Sequence, residues 1–180
     1  NLLVFSGAFF LNFCAPDAMA GGFYLQEQSA SAIGTAFAGA SAMPRDASII
    51  YYNPAGMTEL GRGQAYAGVD VLAPWSDFND DGSTLLGAPI AGVDSDSPTP
   101  VTFLPNIYLA YPVYEDRVWA GIGVSIPFGL VTKYKNNWFG RYDAIKSELI
   151  TTDIAPSIAV KVNDWLSVGG GVNIQYAEAE

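Results

Sequence analysis

Residues 101–130, VTFLPNIYLAYPVYEDRVWAGIGVSIPFGL, decide the fold. In the first half Val101, Phe103, Ile107, Leu109, Tyr111 and Val113 hold odd positions, against Thr102, Asn106 and Tyr108 on the even ones. In the second half Val118, Ala120, Ile122, Val124, Ile126, Phe128 and Leu130 share one face, and Gly121, Gly123 and Ser125 the other. Side chains alternate across a strand, so each run is a strand with one apolar face and one small or polar face. Both runs exceed about ten residues, the length a tilted strand needs to cross a bilayer. Strands of soluble proteins average about 5–6.

The pattern continues outward from this pair. Ala65, Ala67, Val69, Val71, Ala73 and Trp75 alternate with Gln64 and Asp70 before it. After it, Ile150, Ile154, Ile158, Val160 and Val162 oppose Thr151, Asp153, Ser157 and Lys161. A fifth run sets Leu166, Val168, Val172, Ile174 and Tyr176 against Ser167, Gly169, Gly171, Asn173 and Gln175. The connections alternate in length. Residues 76–100 and 131–147 are long, whereas 114–116 and 163–164 are tight. Aromatic residues gather near run ends, among them Trp75, Tyr114, Trp119, Trp165 and Tyr176.

A soluble sandwich would turn the apolar faces inward; an outer-membrane barrel turns them to lipid. Strand length, aromatic girdles and short turns alternating with long loops favour the barrel. The fold class is therefore all-β, a transmembrane antiparallel barrel. Five strands cannot close one, and an open edge in lipid leaves backbone groups unpaired. The sequence thus reads as the N-terminal part of a longer protein.

Composition agrees. The 180 residues carry a net charge of −10, which argues against nucleic-acid binding. Histidine is absent, so Ser-His-Asp, Cys-His and His-metal chemistry is excluded within this stretch. Residues 2–13 form an apolar run ending near the small-residue site Ala18-Met19-Ala20, the pattern of a secretory signal without its basic start. Residues 1–20 are read as that signal. Cleavage after Ala20 removes Cys14, the single cysteine, and with it any disulfide.

Residues 21–60 differ from the rest. They are rich in Ala, Ser and Gly, with Leu25, Ile33 and Phe37 spaced by multiples of four, as in short helical turns packed against another surface. They close on Asn53-Pro54-Ala55-Gly56, where Pro54 removes a backbone donor and Asn53 can bond neighbouring backbone. A compact uncharged segment ahead of a barrel, residues 61–180, reads as a plug in its lumen.

Gly22-Phe23 through Gly34, Ala47-Ser48, Asn53-Pro54-Ala55, Leu104-Pro105-Asn106 and residues 121–130 resemble the outer-membrane long-chain fatty acid transporter family, which includes channels for aromatic hydrocarbons. The resemblance implies a 14-stranded barrel with an N-terminal helical hatch. It implies a kinked strand whose gap lets a hydrophobic ligand leave sideways into the membrane, and a ligand pocket near Phe23.

Candidate site residues follow. Proline cannot donate to a ladder, so Pro127, followed by Phe128 and Gly129, predicts a kink or local break in pairing; the alternative is that it ends the strand. Asn53, Pro54 and Ala55 are the gating candidates of the hatch. Lys133, Lys135 and Arg141, with Lys146 and nearby aromatics, form a loop surface able to hold a carboxylate and its alkyl chain, or to touch lipopolysaccharide phosphates. Asp80 and its acidic neighbours lack the spaced ligand series of a calcium loop. The expected function is a monomeric outer-membrane transporter of hydrophobic ligands, long-chain fatty acids first, with no cofactor, metal or covalent chemistry. The alternatives are an aromatic-hydrocarbon channel, a barrel enzyme whose base comes from elsewhere, and an adhesin or structural barrel.

Overall fold

The computed structural model describes residues 25–96 and 98–180. The expected signal segment and Phe23 lie outside the described residues. Among the described residues the elements, in chain order, are α1 (Ala30–Ile33), α2 (Ile49–Tyr52), a 3-10 helix (Pro54–Glu59) and ten strands. The strands are β1 (Gln64–Leu72), β2 (Asp77–Phe78), β3 (Thr84–Leu85), β4 (Ala88–Pro89), β5 (Ser95–Asp96), β6 (Thr102–Tyr114), β7 (Val118–Lys133), β8 (Lys146–Asn163), β9 (Leu166–Gly171) and β10 (Ile174–Ala179).

The long strands form one antiparallel sheet in the order β1-β6-β7-β8, with β9 and β10 both on the far edge of β8. The fifth run is therefore one strand interrupted at Val172-Asn173. The tight turn between β6 and β7, residues 115–117, has Glu115 and Asp116 at φ 43° and 54°, left-handed values at the centre of a turn closed by the Arg117 N–H on the Tyr114 carbonyl at 2.8 Å. The loop after β1 holds two small hairpins, β2 with β5 and β3 with β4. Their two-residue ladders are too short to carry a readable period.

The faces separate as alternation predicts. On β6, Leu104, Asn106, Tyr108 and Ala110 are buried, whereas Phe103 is 64% and Ile107 51% exposed. Val69, Val71, Ile122, Ile158 and Val162 are exposed on the same outer side. A contiguous apolar face of this extent marks a surface made for lipid. No helix among the described residues is long and apolar enough to cross a membrane. The strands do the crossing.

The inner face carries the core. Ala47, Ile49, Ile50, Met57 and Leu60 of the N-terminal segment pack against Tyr108, Ala110, Trp119 and Ala159 of the sheet. The apolar spacing of Leu25, Ile33 and Phe37 is not the packed face that was expected, since Ile33 is 42% exposed. Helix α1 lasts only four residues before a chain of turns, with Ala36 and Phe37 at positive φ, so the four-residue spacing never becomes one stripe. Ile49, Ile50 and Met57 take over that role.

Candidate ligand passage

Strand β7 begins as a regular ladder member. It pairs with β6 from Tyr114↔Val118 to Ile107↔Val124, and there the β6–β7 register stops. From Thr102 to Asn106, β6 continues to pair with β1. On the other side, β7–β8 pairing shifts register between Ser125 and Phe128. Neither neighbour provides a registered partner for Ile126 or Pro127. The break falls where Pro127 lacks an N–H to offer, and Pro127 is fully buried. It does not end the strand, because β7 runs on through Phe128 and Gly129 to Lys133.

A buried backbone group needs a partner, so a break must be met from elsewhere. The N-terminal segment meets this one. Leu25 N–H donates to the Pro127 carbonyl at 2.9 Å. The Gln28 amide donates from Nε2 to the Ile126 carbonyl at 2.9 Å and accepts at Oε1 from the Ile126 N–H at 3.2 Å. Toward β8, the Phe128 N–H donates to Thr151 Oγ1 at 3.0 Å.

Gln28 is itself fixed. Its carbonyl accepts from the Tyr108 hydroxyl at 2.9 Å, and Ser29 Oγ bonds Ser48 Oγ at 2.8 Å. The Tyr66 hydroxyl accepts from the Ala30 N–H at 2.8 Å. Beside this cluster the Asn106 amide donates to the Asp70 carboxylate at 2.9 Å, buried on the inner face. The sequence marked Pro127, Phe128 and Gly129. It did not mark Gln28 and Thr151, which bond the break from the N-terminal segment and from β8, or Tyr108, which holds Gln28.

Asn53, Pro54 and Ala55 lie at the other end of the segment. Asn53 caps the 3-10 helix: its Oδ1 accepts from the Ala55 N–H at 3.2 Å and its Nδ2 donates to the Ser41 carbonyl at 2.9 Å. Pro54 occupies the first helical position, where its missing N–H costs nothing. The helix is tied to the sheet by the Thr58–Ser167 hydroxyl pair at 2.8 Å and the Lys161–Glu59 ion pair at 3.6 Å. The small face at Gly121 and Gly123 is filled here by Ile50, Met57 and Tyr108.

Lys133, Lys135 and Arg141 do not share one loop. Lys133 is the last residue of β7 and pairs with Lys146, the first of β8, so only residues 134–145 form the connection. Arg141 donates to the carbonyls of Ala91 and Trp138 at 2.8 and 3.1 Å, and its guanidinium lies 4.6 Å from the Tyr142 ring. Tyr134 stacks on Trp138 at 3.8 Å, and Phe78 meets both edge-on. Val93 bridges to Trp138, joining the two long loops. In the acidic loop Asp80 accepts from the Ser83 N–H and Asp94 from the Asp80 N–H, so these carboxylates shape turns.

A lipid-facing antiparallel sheet, lined inside by an N-terminal segment that also meets a break in its wall, defines part of an outer-membrane β-barrel. Residues 11–180 match the model of the outer membrane protein transport protein family (OMPP1/FadL/TodX), and the chain belongs to that family. It is 31% identical over 176 residues to outer membrane protein P1 of Haemophilus influenzae, covering 92% of this chain and 38% of that protein. It is 29% identical over 164 residues to the long-chain fatty acid transport protein of Escherichia coli K12, covering 91% and 35%. A crystal structure of a Pseudomonas aeruginosa FadL homologue superposes with a TM-score of 0.72 at 27% identity, covering 88% of this chain and 38% of that one. The chain thus spans little more than a third of these relatives and is an outer-membrane protein.

Proposed function

We propose that this chain is the hatch and first barrel strands of a transporter that takes up hydrophobic compounds, with long-chain fatty acids as the ligand. The observation that carries the proposal is the interrupted β7 wall at Ile126-Pro127, met from inside by Leu25 and Gln28. A water-filled pore needs no such break, because polar solutes gain nothing by reaching lipid. A ligand that partitions into hydrocarbon gains about 0.8 kcal/mol for each buried CH₂, so a side exit from lumen to membrane suits an alkyl chain.

In this reading residues 21–60 plug the lumen and Asn53, Pro54 and Ala55 hold the plug's inner end. Pro127, Phe128 and Gly129 form the exit, and Phe23 is a ligand contact. Lys133 and Lys135 gather carboxylates or lipopolysaccharide phosphates at the outer rim, while Arg141 braces the long loops behind them. The protein acts as a monomer. It binds and passes its ligand without covalent chemistry, in keeping with a relative named for long-chain fatty acid transport.

The test is entry of a labelled long-chain fatty acid, beside toluene, into cells lacking and then regaining the full-length gene. Gene-dependent entry of the fatty acid is expected. Entry of toluene alone would make the protein an aromatic-hydrocarbon channel. Entry of neither overturns the transporter reading and turns attention to the long loops as an adhesive surface.

A further inference from the structure

We propose that Gln28 is the positioning residue that closes the side exit, its carboxamide standing in for the strand that β7 lacks at Ile126. This rests on the lateral-passage reading above and assigns the closure to one side chain. Among side chains only Asn and Gln carry a carboxamide, with N–H donors and a C=O acceptor on one planar group as in a peptide unit. Gln28 uses both on Ile126, accepting from its N–H and donating to its carbonyl. A neighbouring strand would make the same two bonds to a hydrogen-bonded pair. The contact joins residues 98 apart in sequence, so it exists only while the N-terminal segment is seated.

The break has two unlike sides. Phe128 is held by Thr151, a member of the same sheet, and stays held whatever the N-terminal segment does. Ile126 and the Pro127 carbonyl are held by Gln28 and Leu25, which belong to no strand. Displacing residues 25–28 therefore releases three backbone groups of β7 together and leaves β8 attached. Unseating the plug and opening the wall are one event. Gln28 is 1% exposed, and Tyr108 fixes its backbone from the β6 side of the gap, so the amide is held in position before any ligand arrives.

The test uses the full-length protein, ligand-free, in lipid nanodiscs, with amide hydrogen exchange read at Ile126 and Phe128. Three variants are compared with wild type: Gln28→Ala, Gln28→Met, which keeps the shape without either polar group, and Gln28→Glu, which keeps the acceptor. Ile126 exchange is expected to rise about tenfold or more in the Ala and Met variants and less in the Glu variant, with Phe128 unchanged. Unchanged Ile126 exchange in both Ala and Met overturns the proposal, as does an equal rise at Phe128, which means general loosening. If Gln28→Ala fails to fold, the Met and Glu variants decide between the same outcomes.

The exchange readout needs no transport. A response at Ile126 without gene-dependent ligand entry keeps the closure and removes the transporter reading. Ligand entry without a response at Ile126 does the reverse.

Discussion

Gly169 of β9 approaches Ala55 so closely that a Cβ at Gly169 would stand 2.4 Å from the Ala55 nitrogen and 2.7 Å from its Cα. The obstacle is backbone, which cannot swing aside as a side-chain tip can. The 3-10 helix that begins at Pro54 is thus seated directly on the sheet, with Thr58–Ser167 alongside.

Gly169→Ala should therefore lift the helix rather than break the strand. Overpacking of this kind costs about 1–3 kcal/mol. Limited trypsin digestion checks it, because Arg45 and Arg62 bracket the helix and both are exposed. Faster cleavage at these sites is expected, while the barrel keeps its heat-modifiable migration on gels. Unchanged cleavage would show that the contact is not holding the segment.

Asn53→Ala removes an N-cap acceptor and the donor to Ser41 in one step. The loss should be about 1 kcal/mol, as for other caps. We expect a loosened segment, unregulated uptake and a folded barrel. Asn53→Asp keeps the bond to Ala55 and loses only the one to Ser41, so it should fall between wild type and Ala. Normal uptake by Asn53→Ala would remove the gating role assigned to this residue.

Gly121 gives a test of packing against the inner face. A Cβ there would lie 2.6 Å from Met57 Sδ and 2.7 Å from Ile50 Cδ1. Gly121→Ala should cost about 1–3 kcal/mol by crowding. Met57→Ala, at a fully buried site, should cost about 2–5 kcal/mol by leaving a cavity. The two changes share one space, so the double variant should lose less than the sum, a coupling measurable by denaturant unfolding in detergent. Additive losses would mean that Met57 moves away from the new methyl group.

How much of this was legible follows from what leaves a period in sequence. The apolar faces of β6, β7 and β8 were readable because lipid demands an apolar residue at every second position. The break was readable because Pro127 lacks an N–H. Its partner was not, because Gln28 lies 98 residues away and a single amide on an irregular segment has no period. The outer ends of β7 and β8 were missed for a related reason. Thr132, Lys133, Lys146 and Ser147 extend the ladder with polar residues and show no apolar alternation. The interruption of the fifth run at Asn173, whose amide donates to the buried Asp153 at 3.1 Å, depends on a cross-strand contact and was equally silent.

Arg141 separates two roles that the sequence could not. Its guanidinium donates to the Ala91 and Trp138 carbonyls and so ties one long loop to the other, beside the Tyr134–Trp138 stack. A carboxylate contact needs mainly positive charge, which lysine supplies; the two-carbonyl brace needs the planar fork, which lysine lacks. If Arg141 binds the ligand head group, Arg141→Lys should retain most fatty acid affinity and Arg141→Ala should lose it. If it is a brace, both variants should expose the loop, with trypsin cutting faster at Lys133 and Lys135, and both should weaken binding alike. The hydrogen bonds favour the brace: we expect Lys and Ala to behave alike, with a loss within about tenfold, and binding titrations of the two variants beside wild type decide it.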